Sequence, residues 1–262
     1  MVAQVIRARE RARVPSITTE QMREVDRLMV EEYGIVLLQM MENAGRNLAR
    51  LAATLAAGAR DRSVLMLAGK GNNGGGGMVA ARHLSNMGGR VRVLLPVAVR
   101  ELVDVPAHQA SILRRMGVEL LEADDTPQTR LERLFSEADL VVDALIGYSL
   151  TGAPRGRFAA LIDGANASGK PIVSLDVPSG VDAGSGTVYA PAIKAVATLT
   201  LALPKTGLGA PEVRERLGEL YLADLSVPPS LYRQLELEVR PLFADAGAIR
   251  LQWEDDGWVT ER

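Results

Sequence analysis

A succession of short, unbroken apolar runs constrains this chain more than any other feature. They are SVLMLAG (63–69), VRVLLP (91–96), VELLEA (118–123), LVVDAL (140–145), PIVSLD (171–176), ATLTLAL (197–203) and ELYLADL (219–225). A strand that is apolar on both faces is covered on both faces. Helical segments between such strands return the chain so that the strands run parallel. The pattern therefore predicts a doubly wound α/β architecture, in which ligands bind beyond the carboxyl ends of the strands.

Two helices are expected before the first strand. Thr18 and Gln21 fit a capping box, Met22, Val25 and Met29 share one helical face, and Gly34 ends the helix. The second runs over LLQMMENAGRNLARLAATLAAG (37–58). No linker or internal repeat divides the chain. Residues 1–15, with Arg7, Arg9, Arg11 and Arg13 against Glu10, read as a flexible tail. Residues 16–240 read as one domain, and 241–262 as a carboxyl-terminal extension that packs on the domain or trails from it.

Composition removes several function classes. A net charge of -2 and a pI near 5.8 argue against a nucleic-acid or anionic-membrane partner. The absence of cysteine excludes disulfides, thiolate catalysis and cysteine-ligated metal, and two histidines are too few for a histidine-rich site. No apolar run approaches the ~20 residues of a membrane span. No secretory apolar region follows the first residues, which points to a cytoplasmic location.

The stretch AGKGNNGGGG (68–77) follows the first apolar run and reads as a loop before a helix, MVAARHLSNMG (78–88). Gly69, Gly71 and Gly74 have phosphate-loop spacing. No acid ends the second strand before Glu101, which argues against an ordinary NAD-dependent dehydrogenase, and no Lys-Ser or Lys-Thr pair closes a P-loop. The run is either a tight strand–helix turn or a ligand-contacting loop. The amides of Asn72 and Asn73 favour the second. Asp143 and Asp176 end apolar strands, and Lys205 follows LTLALP. Each acid alone could cap a turn. Together with Asn73 and the Ser179 hydroxyl they make a set of hard oxygen ligands suited to a group-one or group-two cation. His83 and His108 read as packing or surface residues, and Ser179 lacks a nucleophile elbow.

These residues carry a resemblance. TTEQMREVDRLMVEEYGI, MMENAG, GKGNNGGGGMVAARHL, VVDALIGYSLTGAPRG, SLDVPSGVDAGSG and LPKTGL occur here in the order seen in the NAD(P)H-hydrate epimerase family, the YjeF amino-terminal domain. The chain resembles that family from about residue 16 to 230. The resemblance implies a three-layer α/β/α Rossmann-like fold, mostly parallel, with two extra amino-terminal helices, in a homodimer. It implies epimerisation of NADHX and NADPHX, the hydrated nicotinamide nucleotides, and a bound potassium ion. It places substrate on Asn72, Asn73, Gly74, Gly75 and Gly76, on Gly147, Tyr148, Ser149, Leu150, Thr151, Gly152 and Ala153, and on Asp176, which is also the acid/base candidate. It places potassium on Asn73, Asp143 and Ser179. The family's ADP- or ATP-dependent dehydratase is expected as a separate protein. The chain departs from the family pattern at Gly76, where that pattern has aspartate, and carries Thr151 and Ala153 where some members have charged residues. This leaves two readings, an epimerase and a nucleotide-binding homologue with weakened or lost catalysis.

Overall fold

The structure is a computed structural model that describes residues 11–261. Its strands are β1 (Arg13–Val14), β2 (Ser63–Ala68), β3 (Arg90–Leu95), β4 (Glu119–Glu122), β5 (Leu140–Ala144), β6 (Ile172–Leu175), β7 (Ala197–Leu201), β8 (Glu219–Ala223), β9 (Ala248–Glu254) and β10 (Gly257–Thr260). Its helices are α1 (Thr19–Glu31), α2 (Leu37–Leu55), α3 (Asn72–Asn86), α4 (Asp104–Arg115), α5 (Gln128–Glu137), α6 (Gly156–Ala167), α7 (Pro211–Leu217) and α8 (Pro229–Gln234). The strands form one sheet in the order β1-β10-β9-β8-β7-β6-β5-β2-β3-β4. From β8 to β4 all pairs are parallel, as the apolar runs require.

Alternation along β2 shows why its run had to be apolar throughout. Val64, Met66 and Ala68 pack with α1 to α4, whereas Leu65 and Leu67 pack with α5 and α6 on the opposite face. A residue fully buried on either side contributes roughly 1.5–3 kcal/mol, so neither face tolerates a polar register. The result is a three-layer α/β/α fold. The capping box at the start of α1 is present: the Thr18 hydroxyl accepts from the Gln21 amide at 3.1 Å, and the Gln21 side chain accepts from the Thr18 amide at 3.0 Å.

One chain end departs from the sequence expectation, and the other takes one of the two forms left open. Residues 1–10 of the expected flexible tail lie outside the described residues, but Arg13–Val14 is a strand paired with Val259 and Trp258. The extension over 241–262 contains a hairpin, β9–β10, that continues the same sheet antiparallel to β8. The alternation in AIRLQWE puts Ile249 and Leu251 into the core, and the Asp255–Asp256 turn takes the positive φ that a tight hairpin needs. Trp258 is buried and meets Trp253 edge-on at 4.9 Å between ring centroids, while Arg214 lies over Trp253. Trp258→Ala should therefore lower unfolding free energy by about 3–5 kcal/mol, as for other buried aromatics. Urea denaturation followed by far-UV circular dichroism measures this. A loss below about 0.5 kcal/mol would mean the hairpin is only an appendage.

Candidate functional site

The chain runs from β2 outward to β4, then returns to β5 beside β2. This reversal opens a crevice between the carboxyl ends of β2 and β5, where open α/β sheets bind ligands. A cavity of about 670 Å³ occupies it. Residues Lys70 to Asn73 after β2, and Leu145 to Ser149 after β5, form two walls. Asp176 after β6 and Lys205 after β7 form the buried end, and α1 and α2 close the mouth with Met22, Asp26, Leu37 and Met41.

The glycine run is not a loop. It forms the first turns of α3, which begins at Asn72. Glycine weakens an isolated helix by about 1 kcal/mol per residue, so something stronger holds it. That is close packing. A Cβ on Gly74 would lie 1.9 Å from the Gly69 carbonyl oxygen, and one on Gly77 would lie 2.5 Å from Ala144 Cβ. A Cβ on Gly75 would lie 2.8 Å from Val105, and from the α2 side one on Gly45 would lie 2.5 Å from the Gly76 oxygen. The glycines let α3 settle between β2, β5, α2 and α4. Gly74, Gly75 and Gly76, expected to contact substrate, are buried and do not line the cavity. Asn72 and Asn73, in the first turn, do line it, with the unpaired amides and positive dipole end that favour an anion.

Gly76 takes its place in this packing. It is the fifth residue of α3, past the free amides of the first turn, and a Cβ there would face Leu175 and Met41 at 3.0 and 3.4 Å. Gly76 itself does not line the cavity, so its missing carboxylate is not one of the wall groups.

Asp176 and Lys205 form a buried ion pair through Asp176 Oδ1. Lys205 Nζ also donates to the Leu201 carbonyl at 2.9 Å and contacts Thr200 Oγ1 at 3.4 Å. Asp176 Oδ2 accepts from the Tyr148 amide at 3.0 Å. The backbone is bent to present both side chains. Asp176 has φ 67°, with the Val177 amide bonded back to Leu175 O at 2.9 Å. Ala202 has φ 62°, with the Leu203 amide bonded to Leu201 O at 2.7 Å. Such γ-turns are rare and strained for a residue with a side chain. Gly147 is needed beside them: a Cβ there would lie 3.1 Å from Asp176 Oδ2 and 3.3 Å from Asn73.

Asp143 is fully buried behind the cavity wall. It accepts from Ser179 Oγ at 2.6 Å, the Ser179 amide at 2.9 Å, Ser174 Oγ at 2.8 Å and the Leu145 amide at 3.2 Å. Burial pushes its carboxyl above the usual range, and these four donors oppose that shift. No lysine, arginine or histidine among the described residues pairs with it. Asp143 and Ser179 are thus brought together. Asn73 is not bonded to either; its amide nitrogen donates to Leu175 O at 3.3 Å.

The second expected loop divides. Gly147, Tyr148, Ser149 and Ala153 face the cavity, Leu150 and Thr151 face a separate polar recess beside Asp182, and Gly152 lines neither. His83 bonds Glu42 at 2.8 Å across α2 and α3, which is a packing role. Sequence reading did not assign Asp26 to the site. An acid on an amphipathic helix reads as solvent-facing, and its place four residues after the buried Met22 was the available signal.

The family model for "YjeF-related protein N-terminus" matches residues 37–207. The chain belongs to that family. It is 49% identical over 228 residues to an NAD(P)H-hydrate epimerase of Dehalogenimonas lykanthroporepellens, covering 86% of this chain and 87% of that one. It is 36% identical to an NAD(P)H-hydrate epimerase of Rhodopirellula baltica, over 86% and 89% of the two chains. A bifunctional NAD(P)H-hydrate repair enzyme of Salinibacter ruber is 37% identical over 82% of this chain, which spans only 41% of that protein. The crystal structure of yeast ynu0 superposes with a TM-score of 0.78 at 26% identity, covering 91% of this chain and 100% of that one.

The packing account of the glycines makes a sharp contrast. Gly74→Ala should destabilise the fold by at least about 1–3 kcal/mol, because a backbone carbonyl blocks the new methyl group. Gly71→Ala, with nothing within 4 Å of the new carbon, should stay within about 0.5 kcal/mol. Thermal unfolding of the two variants checks the difference; equal effects would contradict it.

Proposed function

We propose that this chain is an NAD(P)H-hydrate epimerase that interconverts the R and S epimers of NADHX and NADPHX, an isomerase of nucleotide repair. The observation that carries the reading is the Asp176–Lys205 pair, held by two strained turns at the buried end of a cavity sized for part of a nucleotide. The similarity to curated epimerases over most of the chain supports it. The first turn of α3, with Asn72 and Asn73, suits the anionic pyrophosphate, and the apolar walls suit the hydrated ring. Gly147, Tyr148, Ser149 and Ala153 line the cavity beside that ring. Because Gly76 lies outside the cavity, nothing in the site favours a catalytically silent homologue.

Inversion at the hydrated carbon requires its bond to hydroxyl, or the ring, to open and re-form from the other face. Either route moves a proton, and loss of the hydroxyl also develops positive charge on the carbon and the ring nitrogen beside it. Asp176 is the acid/base group for this, and its carboxylate stabilises that charge. Lys205 fixes its orientation from one side and the Tyr148 amide from the other.

Potassium is proposed at Asn73, Asp143 and Ser179. The donor types suit a hard cation: among the described residues the Asn73 amide oxygen accepts no hydrogen bond and Asp143 is a buried carboxylate without a cationic partner, although Asp143 already accepts from four donors and Ser179 Oγ from the Ile146 amide at 3.0 Å, so an ion would have to take over some of these bonds. A cation there would supply countercharge that steadies the turns after β5 and β6. We further propose a cytoplasmic homodimer working beside an ADP- or ATP-dependent NAD(P)H-hydrate dehydratase. No helix among the described residues is long and apolar enough to cross a membrane.

Chromatographic assay of epimer interconversion, starting from one purified NADHX epimer, tests the activity. Asp176→Asn should lower kcat by about 10²–10⁴-fold; an unchanged rate would refute its role. Lys205→Met should cost about 3–5 kcal/mol of stability by stranding a buried carboxylate. For the ion, potassium should raise the melting temperature of the native chain more than sodium or choline does. Stabilisation by a bound ligand reaches about 2.7 kcal/mol at a hundredfold its dissociation constant. The increment should vanish in Asp143→Asn; its persistence there would remove Asp143 from the ion site.

A further inference from the structure

An epimerase that exchanges a hydroxyl between two faces of one carbon needs a proton donor for the departing oxygen and an acceptor for the arriving water. Asp176 serves one side. The second group has to reach the same cavity from another wall. Resting on the epimerase reading, we propose that Asp26 is the second catalytic carboxyl of this site, alternating with Asp176 as proton donor and acceptor.

Asp26 differs from every other acid on α1. Glu20 pairs with Arg23, and Glu24 and Glu31 pair with Arg27, all toward solvent. Asp26 lies on the Met22 face, lines the cavity and has no ion-pair partner among the described residues. Its Oδ2 accepts from the Tyr148 hydroxyl at 2.7 Å, and its Oδ1 accepts nothing from the described residues. Tyr148 thereby touches both carboxyls, Asp176 through its amide and Asp26 through its hydroxyl.

The position of Asp26 is built, not incidental. The segment before α1 pairs with the Lys205 turn: the Ile17 amide donates to Pro204 O at 2.8 Å, and the Thr206 amide donates to Ile17 O at 3.0 Å. The capping box then starts α1 at once. One short path of backbone thus fixes Asp26 relative to Lys205, and so relative to Asp176. The two carboxyls also sit in opposite environments, which is how paired acids divide into donor and acceptor. Asp176 is salt-bridged to Lys205. Burial pushes the Asp26 carboxyl up, while the Tyr148 hydrogen bond and the Lys205 charge pull it down and the Asp176 charge adds to the rise.

The step balances. Protonated Asp26 gives its proton to the ring hydroxyl, and the carbon–oxygen bond breaks to release water. The ring nitrogen's lone pair holds the cation as a conjugated iminium. A water on the opposite face adds to the carbon and gives a proton to Asp176. The carbon skeleton and redox state are unchanged, one carbon–oxygen bond has been exchanged, and the reverse direction begins with the proton on Asp176.

The test compares Asp26→Asn, Tyr148→Phe and Asp26→Ala with the native chain, each on a purified NADHX epimer. Asp26→Asn keeps an oxygen to accept from Tyr148 but loses the proton. It should lose about 10²-fold or more in kcat with KM within threefold. Tyr148→Phe, which keeps the carboxyl, should lose less than tenfold. Formate should restore activity to Asp26→Ala in a concentration-dependent way and not to Asp26→Asn. In ¹⁸O-water, native enzyme should incorporate one solvent oxygen per inversion. Full activity in Asp26→Asn, equal losses in Asp26→Asn and Tyr148→Phe, absence of formate rescue, or retention of the original oxygen would each overturn the proposal. A native chain that epimerises nothing would instead overturn the functional reading beneath it.

Discussion

The close approach of α3 to the sheet is the constraint on which the rest of this structure depends. Side chains normally hold a helix away from the sheet that it covers. Here Gly74 touches the Gly69 carbonyl and Gly77 touches Ala144. The start of α3 is thereby drawn into the gap between β2 and β5, and Asn72 and Asn73 face the cavity. The same logic governs Gly45 on α2, whose missing side chain makes room for Gly76 and Val79. The helix gives up intrinsic propensity and recovers it in packing, since helical stability in proteins comes mainly from tertiary contact.

A second cost is visible at the strand ends. The γ-turns at Asp176 and Ala202 hold non-glycine residues at positive φ, and a lysine is buried completely. A buried ion pair seldom improves on apolar packing for stability alone. Strain and buried charge at adjacent positions therefore mark the place where folding stability has been given up for a fixed carboxylate geometry. Asp143 does the same work one layer deeper. Its four donors come from β6 and from the turns after β5 and β6, so a single carboxylate sets the spacing of two cavity walls.

Much of this was legible in the sequence. The uninterrupted apolar runs determined a parallel sheet covered on both faces, and the acids that ended two of them, Asp143 and Asp176, lie at the site as strand-end residues in such a sheet should. The extent of α3 was not legible, because four consecutive glycines argue locally for a loop and only the neighbours that they contact argue for a helix. The form of the β9–β10 segment was left open for a related reason. Its alternation is short, and its antiparallel partner β8 reads as one more buried parallel strand. Of the ligand set, type could be read but not assembly: Asp143 and Ser179 are bonded, while the Asn73 amide nitrogen is bonded to Leu175 O instead.

Asp26 shows the limit most clearly and suggests how it can be moved. On a helical wheel it borders the Met22–Val25–Met29 stripe, and a carboxylate at the border of an apolar stripe ordinarily turns outward. It turns inward here because α1 does not simply pack on the sheet; it spans the open end of the switch crevice. The amino-terminal helices are therefore not an addition to a complete nucleotide-binding core. The parallel sheet alone supplies one carboxylate, a cation partner and an apolar wall. Only with α1 pinned to the Lys205 turn through Ile17 does a second carboxyl enter the same cavity. A border acid on a helix that precedes the first parallel strand of an α/β sheet, followed much later by a tyrosine in the loop after a central strand, is the pattern by which such a closing helix can be sought in other sequences.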